Sequence, residues 1–228
     1  SSLGQLASSI AHEISNPLTV IIGNAEVLLL DTPDNSPAHD TMQMILRAAR
    51  RAARTVQNVL ELSGEPDYEF SEVDLRANIE DAADLAAHPL RKANIRLELS
   101  LADDLPRIMA GASHLKMVWM NMLLNARDAI QRAGRSEGTV RVATGPAGES
   151  AVFVSISDDG MGMSPEERDH LFQPFYTTKP PGQGLGLGLY HAYNIVRQHK
   201  GSIDVDSRMG EGTTFTVYLP TDPASDHR

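Results

Sequence analysis

The first sixty residues repeat a seven-residue apolar pattern, and that repeat leaves few folds open. Leu3, Ala7, Ile10, Ile14, Pro17, Ile21 and Leu28 step by four and three, and only Asn24 interrupts the seam. Such spacing draws one apolar line along a helix. The run Asp31-Thr32-Pro33-Asp34-Asn35-Ser36-Pro37 stops it with turn-forming residues. A second seam follows through Met42, Ile45, Ala49, Ala52, Val56 and Val59, flanked by Arg47, Arg50, Arg51 and Arg54. The pattern predicts an antiparallel helical hairpin. Two helices bury too little to stand alone, so pairing of two hairpins into a four-helix bundle is the expected completion.

Gly64-Glu65-Pro66-Asp67 ends that pattern. A helix is expected near Asp74–Ala87, then strands at Ile95–Leu101 and Arg107–Met109 and a long helix over Ser113–Arg132. Thr139–Thr144 and Ala151–Ser157 read as strands. Ser164-Pro165-Glu166-Glu167 is a capping box with Pro at the first helical position. After a glycine-rich loop from Pro180 to Gly188, a helix to Gln198 precedes strands at Ile203–Ser207 and Thr213–Leu219. The expected class is α+β: the hairpin over 1–63, a linker over 64–71, a two-layer α/β sandwich with a mixed sheet over 72–220, and a polar tail over 221–228.

Composition removes several function classes. The net charge of −10 argues against a general nucleic-acid binder, which needs clustered Lys and Arg. The absence of cysteine excludes thiol catalysis, disulfides and Cys-ligated metals. No apolar run approaches the roughly 20 residues that span a bilayer. The chain opens Ser-Ser-Leu and enters a helical pattern at once, so it reads as the soluble piece of something longer.

Four segments carry chemistry. In His12-Glu13-Ile14-Ser15-Asn16-Pro17-Leu18, His12 falls on the outward face of the first helix. A solvated imidazole, with a pKa of about 6.5, is mostly neutral and nucleophilic at pH 7. Glu13 could take or orient a ring proton. Pro17 bends the helix at a cost of about 3 kcal/mol, which calls for a reason. Taken alone the segment reads equally well as an exposed His with an accidental neighbour. A zinc-protease helix would need His where Asn16 stands. On the long helix, Asn121, Asn125 and Asp128 share a face. Their oxygens suit a hard cation such as Mg²⁺, although a lone polar stripe more simply faces water. Asp158-Asp159-Gly160-Met161-Gly162 ends an apolar strand. A carboxylate there could accept from an exocyclic amine such as that of adenine, and the same residues could form an ordinary Asp-Gly turn. Finally, Lys179 to Leu189 places glycines at 182, 184, 186 and 188 before a helix. Backbone N–H groups so arranged suit phosphate oxygens. The spacing is neither Walker A nor Rossmann.

In this order and spacing the segments resemble the catalytic core of sensor histidine kinases of two-component systems. His12–Leu18 resembles the H box, 121–129 the N box and Asp158–Gly162 the G1 box. Leu171-Phe172-Gln173-Pro174-Phe175-Tyr176-Thr177-Thr178-Lys179 resembles the F box, and Gly184–Leu189 the G2 box. Gly210-Glu211-Gly212-Thr213-Thr214-Phe215 with Leu219-Pro220 resembles the closing turn and last strand. The resemblance runs to residue 220 and implies a GHKL-type ATP-binding fold behind a dimerisation and phosphotransfer domain. The form of the H box resembles the subgroup of nitrogen-regulation and C4-dicarboxylate sensor kinases.

The resemblance implies an ATP-dependent kinase in which His12 takes the γ-phosphoryl group and Glu13 handles a proton. Asn125 would hold Mg²⁺ beside Asn121, and Asp158 would read adenine with Gly160 and Gly162 at its side. Asp128, Phe172, Thr178, Lys179, Gly184, Leu185, Gly186, Leu187, Gly188 and Leu189 would complete the nucleotide site. Asn16 would orient water for dephosphorylation of the partner. The implied partners are a second copy of the chain and the receiver domain of a response regulator, with no nucleic acid. A cytoplasmic location is expected, with membrane contact only through a sensor region outside this chain. The alternatives are a non-kinase ATPase of the same nucleotide-binding fold, or an ATP-binding signalling scaffold. Such ATPases commonly carry Glu where Asn121 stands. Departures from the family pattern are Leu185 in place of Thr, Tyr190 in place of Ser, and Lys200-Gly201 in place of a glycine pair. Gly111 and Met117 likewise stand where Asp and Gln are common.

Overall fold

The computed structural model describes residues 14, 17–29, 32–33, 36–63, 69–179 and 186–222. The chain separates into two compact units, 1–67 and 68–228. In the first, residues 17–29 are helical (α1), and α2 runs over Pro37–Ser63. Glu26 and Arg50 pair between them at 2.6 Å. Among the described residues of this unit, Ala25, Leu46, Ala49 and Val56 are buried. Ala25 and Leu46 lie off the heptad seams, whereas seam residues Ile14, Ile21, Leu28 and Ile45 stay exposed. The line along which one hairpin closes is therefore not the whole apolar line of its helices. A single contact between two helices cannot cover both seams.

The second unit is built on a five-stranded mixed sheet ordered β2-β4-β5-β7-β6. Its strands are β2 (Ile95–Ser100), β4 (Gly138–Pro146), β5 (Ala151–Asp158), β6 (Ser202–Arg208) and β7 (Gly212–Pro220). Only β2 and β4 are parallel. A separate antiparallel pair joins β1 (Ser71–Val73) to β3 (Ile108–Ala110). Strand β5 alternates half-buried and buried along its whole length. One sheet face therefore meets the helices and the other meets water, the period-2 signature of a two-layer sandwich.

The helical layer comprises α3 (Leu75–Lys92), α4 (Ala112–Arg132) and α6 (Gly188–Gln198). A short α5 (Pro165–His170) starts at the expected capping box: Glu167 N–H donates to Ser164 Oγ, and Ser164 N–H to the Glu167 carboxylate. Helix α3 begins where Asp74 caps the Ala77 N–H, and it continues through Pro89 to Lys92. The sequence pattern ended this helix at Ala87. Burial of Leu90 in the core carries the last turn past the proline. Strand β1 was not expected from the sequence, because it straddles the end of the stretch over 64–71 read as a linker.

Helix α4 is the axis of this unit. Leu115, Val118, Trp119, Met122, Leu123, Ala126 and Ile130 form its buried face. Trp119 Nε1–H donates to Asn78 Oδ1 at 2.9 Å, and Asn78 Nδ2 donates to the Ala112 carbonyl at 2.9 Å. One buried amide thus ties α3 to the start of α4. Gly111, which caps α4 without a side chain, donates its N–H to Nε2 of buried His199 at 2.9 Å. His199 Nδ1 lies 2.7 Å from the Ile195 carbonyl, so Nδ1 carries the proton and the ring is neutral. Burial holds the His199 pKa below its ordinary value, with His114 acting in the same direction. Replacing Asn78 by Ala orphans the indole N–H and the Ala112 carbonyl. In urea unfolding the full chain should lose about 1–3 kcal/mol in the transition of the second unit.

Candidate active site

The site lies where the end of β5 meets the C-terminal half of α4. Asp158 is the last residue of β5 and is only 8% exposed. Its Oδ1 accepts the Gly160 N–H at 2.8 Å. Burial pushes its pKa up to about 6, against the lowering effect of N–H groups from Gly160 and Thr213; nearby Asp159 adds to the rise. Asp159 itself faces elsewhere and accepts the Thr139 N–H at 3.0 Å.

Two glycines let this loop pack. A Cβ at Gly160 would sit 2.7 Å from Asp158 Oδ1 and 2.8 Å from the Ala129 backbone of α4. Gly162 has φ +65°, and a Cβ there would meet the Arg208 carbonyl at 1.9 Å. The loop is held between its neighbours: Met161 N–H donates to the Ala129 carbonyl at 3.2 Å, and Gly210 N–H to the Met161 carbonyl at 2.7 Å. Ser207 Oγ accepts the Met163 N–H at 2.9 Å. The turn between β6 and β7 is therefore a wall of the site, built by Ser207, Gly210 and Thr213. Its only sequence signal was the Gly-x-Gly-Thr-Thr run.

The polar stripe on α4 faces the segment that precedes the glycine loop. Lys179 Nζ donates to Asp128 Oδ2 at 2.5 Å and to Asn125 Oδ1 at 3.2 Å. Arg127 reaches Asp128 Oδ1 through Nε at 2.8 Å and Nη2 at 2.5 Å. Arg132 Nη1 donates to Thr178 Oγ1 at 2.9 Å. Neither arginine was singled out from the sequence, because an Arg on a helix surface carries no signal until its partner is known. Asn121, one turn before Asn125, lies against Gly188 at the start of α6. Leu187 is buried, Leu189 packs on the core, and Gly186 turns with φ +68°. Phe172 stacks on Tyr193 of α6 with ring centres 4.9 Å apart.

Two groups from the sequence thus come together on α4: Asn121, Asn125, Asp128, Thr178, Lys179 and Gly188, and, through Ala129, Asp158 with Gly160. His12, Glu13, Asn16, Gly184 and Leu185 lie outside the described residues. Of the remaining histidines, His191 and His199 are buried. The arrangement offers a buried carboxylate for an amine donor at one end and ammonium and amide groups for anionic oxygens at the other.

Two family models match the chain. "His Kinase A (phospho-acceptor) domain" covers residues 2–64. "Histidine kinase-, DNA gyrase B-, and HSP90-like ATPase" covers 110–223. The sensor histidine kinase ZraS of Klebsiella oxytoca is 39% identical over 96% of this chain and 46% of its own length. AtoS, a signal-transduction histidine-protein kinase of Escherichia coli K12, is 34% identical over 97% of this chain and 35% of its own. The chain thus spans less than half the length of these relatives. Among solved structures, histidine kinase ThkA in complex with the response regulator protein TrrA superposes with a TM-score of 0.67 at 28% identity. That match covers 98% of this chain and 63% of ThkA. Full-length ShkA in complex with AMPPNP superposes with a TM-score of 0.83 over 95% of this chain and 45% of its own, and at 22% identity it speaks for the fold alone.

Asp158 generates a pH prediction. Its folded pKa lies above its unfolded value of 3.8. The folded state therefore binds more protons between those values, and stability falls as pH rises through that window. Asp158→Asn removes this titration. Its stability relative to wild type should rise from pH 4 to pH 6.5, by at most about 3 kcal/mol. Urea titrations at several pH values check it; a difference independent of pH contradicts it.

Proposed function

The chain belongs to the sensor histidine kinases, and from that premise we propose that it phosphorylates its own His12 from ATP and passes the phosphoryl group to an aspartate of a receiver domain. The observation that carries the nucleotide half of this reading is that a buried carboxylate at the end of β5 and a cationic cluster are both packed against one helix, α4. Asp158 suits the adenine amine as an acceptor, with Gly160 and Gly162 keeping side chains out of the way. Lys179 and the N–H groups at Gly186 and Gly188 suit the phosphates. Phe172, Leu187 and Leu189 supply apolar neighbours. Residues 1–63 serve as the dimerisation and phosphotransfer domain and 72–220 as the ATP-binding domain.

Mg²⁺ fits the donor set. The Asn125 amide oxygen already accepts from a cation, with the Asn121 amide one turn away. Among the described residues no three His, Asp or Glu side chains gather around a common point. That suits an ion that brings most of its ligands as water and phosphate. When bound, it neutralises phosphate charge. A ring nitrogen of His12 attacks the γ-phosphorus, the bond to the β–γ bridging oxygen breaks and ADP leaves. The remaining ring N–H gives its proton to Glu13. A receiver carboxylate oxygen then attacks phosphorus, the N–P bond breaks, and an acyl phosphate forms. Asn16, unable to act as a base at neutral pH, fixes a water in line for its hydrolysis.

The exposed line Ile14, Ile21 and Leu28 on the first helical segment, with Ile45 on α2, supports a homodimer. Covering that line with a second copy completes a four-helix bundle. Sedimentation at micromolar concentration should report about twice 24.8 kDa; a clean monomer removes the bundle.

Incubation with γ-labelled ATP and Mg²⁺ tests the reaction. Wild type should acquire acid-labile label on protein, and His12→Gln none. Free phosphate without labelled protein identifies a hydrolase instead. Asn16→Ala should keep most of the labelling and lose most phosphatase activity toward a phosphorylated receiver. Proportional loss of both makes Asn16 structural.

A further inference from the structure

We infer that Asp128 is a positioning residue for Lys179 and does not itself touch nucleotide or metal. The inference rests on the nucleotide reading above and deepens it. Both carboxylate oxygens of Asp128 are already engaged by cations. Oδ1 takes Arg127 through two N–H groups, and Oδ2 takes the Lys179 ammonium at 2.5 Å. These side chains are only about a quarter exposed: 28% for Arg127, 20% for Asp128 and 23% for Lys179. An ion pair so sheltered is screened less than one on an open surface.

An ammonium has three N–H donors. Two of those on Lys179 are spent on α4, one on Asp128 and one on Asn125. One donor is left for an anionic oxygen. Lys179 sits on a four-carbon stem just before the glycine loop, and a free lysine there would sample many rotamers. Asp128 anchors it to the rigid helix that also packs against the Asp158 loop. The distance from adenine end to phosphate end is then set by α4 and not by the loop.

Charge bookkeeping agrees. Arg127, Asp128 and Lys179 sum to one net positive charge, and Asn125 adds none. The cluster stays attractive to a polyphosphate, yet it does not bring two uncompensated cations together before the ligand arrives. A carboxylate aimed directly at phosphate would repel it. Saturated by Arg127 and Lys179, Asp128 orients one cation while its own charge is cancelled by the other. Thr178, next to Lys179 in sequence, also bonds to α4, its Oγ1 accepting from Arg132 one turn further along.

The test is a binding comparison on the full chain: ATP with Mg²⁺ by calorimetry, and adenosine by NMR titration. Asp128→Asn keeps shape and removes charge. It should weaken ATP about tenfold, the scale of one charge-assisted hydrogen bond, and leave adenosine unchanged. Asp128→Glu should recover most of the loss. In a Lys179→Met background, Asp128→Asn should cost nothing further, because the residue has no one left to position. Equal weakening of ATP and adenosine, additive losses in the double variant, or ATP binding unchanged in Asp128→Asn each overturn the inference alone. A wild-type chain that binds no ATP overturns the nucleotide reading and this inference with it.

Discussion

Helix α4 must satisfy two environments at once, and the rest of the second unit depends on how it does so. One face carries Trp119, Met122, Leu123 and Ile130 into the core. The other carries Asn121, Asn125 and Asp128, which a core could not accept without partners. The buried face fixes the helix against the sheet, and that fixes the polar face relative to the end of β5. Asn78 and His199 secure the N-terminal end, where Gly111 supplies no capping side chain. Packing far from the polar groups therefore sets their geometry.

Asp158 shows what such a site costs. A carboxylate 8% exposed, with a pKa raised to about 6, is in an unfavourable place for a charge at neutral pH. Gly160 and Thr213 N–H groups only partly offset the lost hydration. A purely structural position would tolerate a neutral acceptor equally well. In the proposed nucleotide reading, a bound ligand supplies the missing donor. Around Gly160 there is no room for a Cβ, so the loop closes tightly on that carboxylate and on α4.

Periodicity made the architecture legible where elements are long. The helix expected at Ser113–Arg132 is found at Ala112–Arg132, and the strand expected at Ala151–Ser157 at Ala151–Asp158. It gave no strand at β1, which straddles the end of the stretch read as a linker, and it stopped α3 at Ala87, where the burial of Leu90 decides otherwise. Residue type and spacing pointed to Asn125, Asp158 and Lys179. They could not point to Arg127, Arg132 or Ser207, because an arginine or serine gains meaning only from its neighbour in space. Nor could they separate Leu46, buried in the hairpin, from Ile45, exposed on the adjoining line. That difference is one helical step of about 100° and is decided by which helices are present.

In the proposed reaction the two units divide the chemistry: the first contains His12 and the second the candidate nucleotide groups. The central claim is that the γ-phosphoryl group ends on a histidine nitrogen and not on water. Phosphorus NMR of the native chain with Mg²⁺ and ATP distinguishes these directly. The account predicts a protein-bound phosphohistidine resonance that grows with ADP and vanishes on acidification. Growth of ADP and inorganic phosphate alone, with no protein-bound resonance, would contradict it.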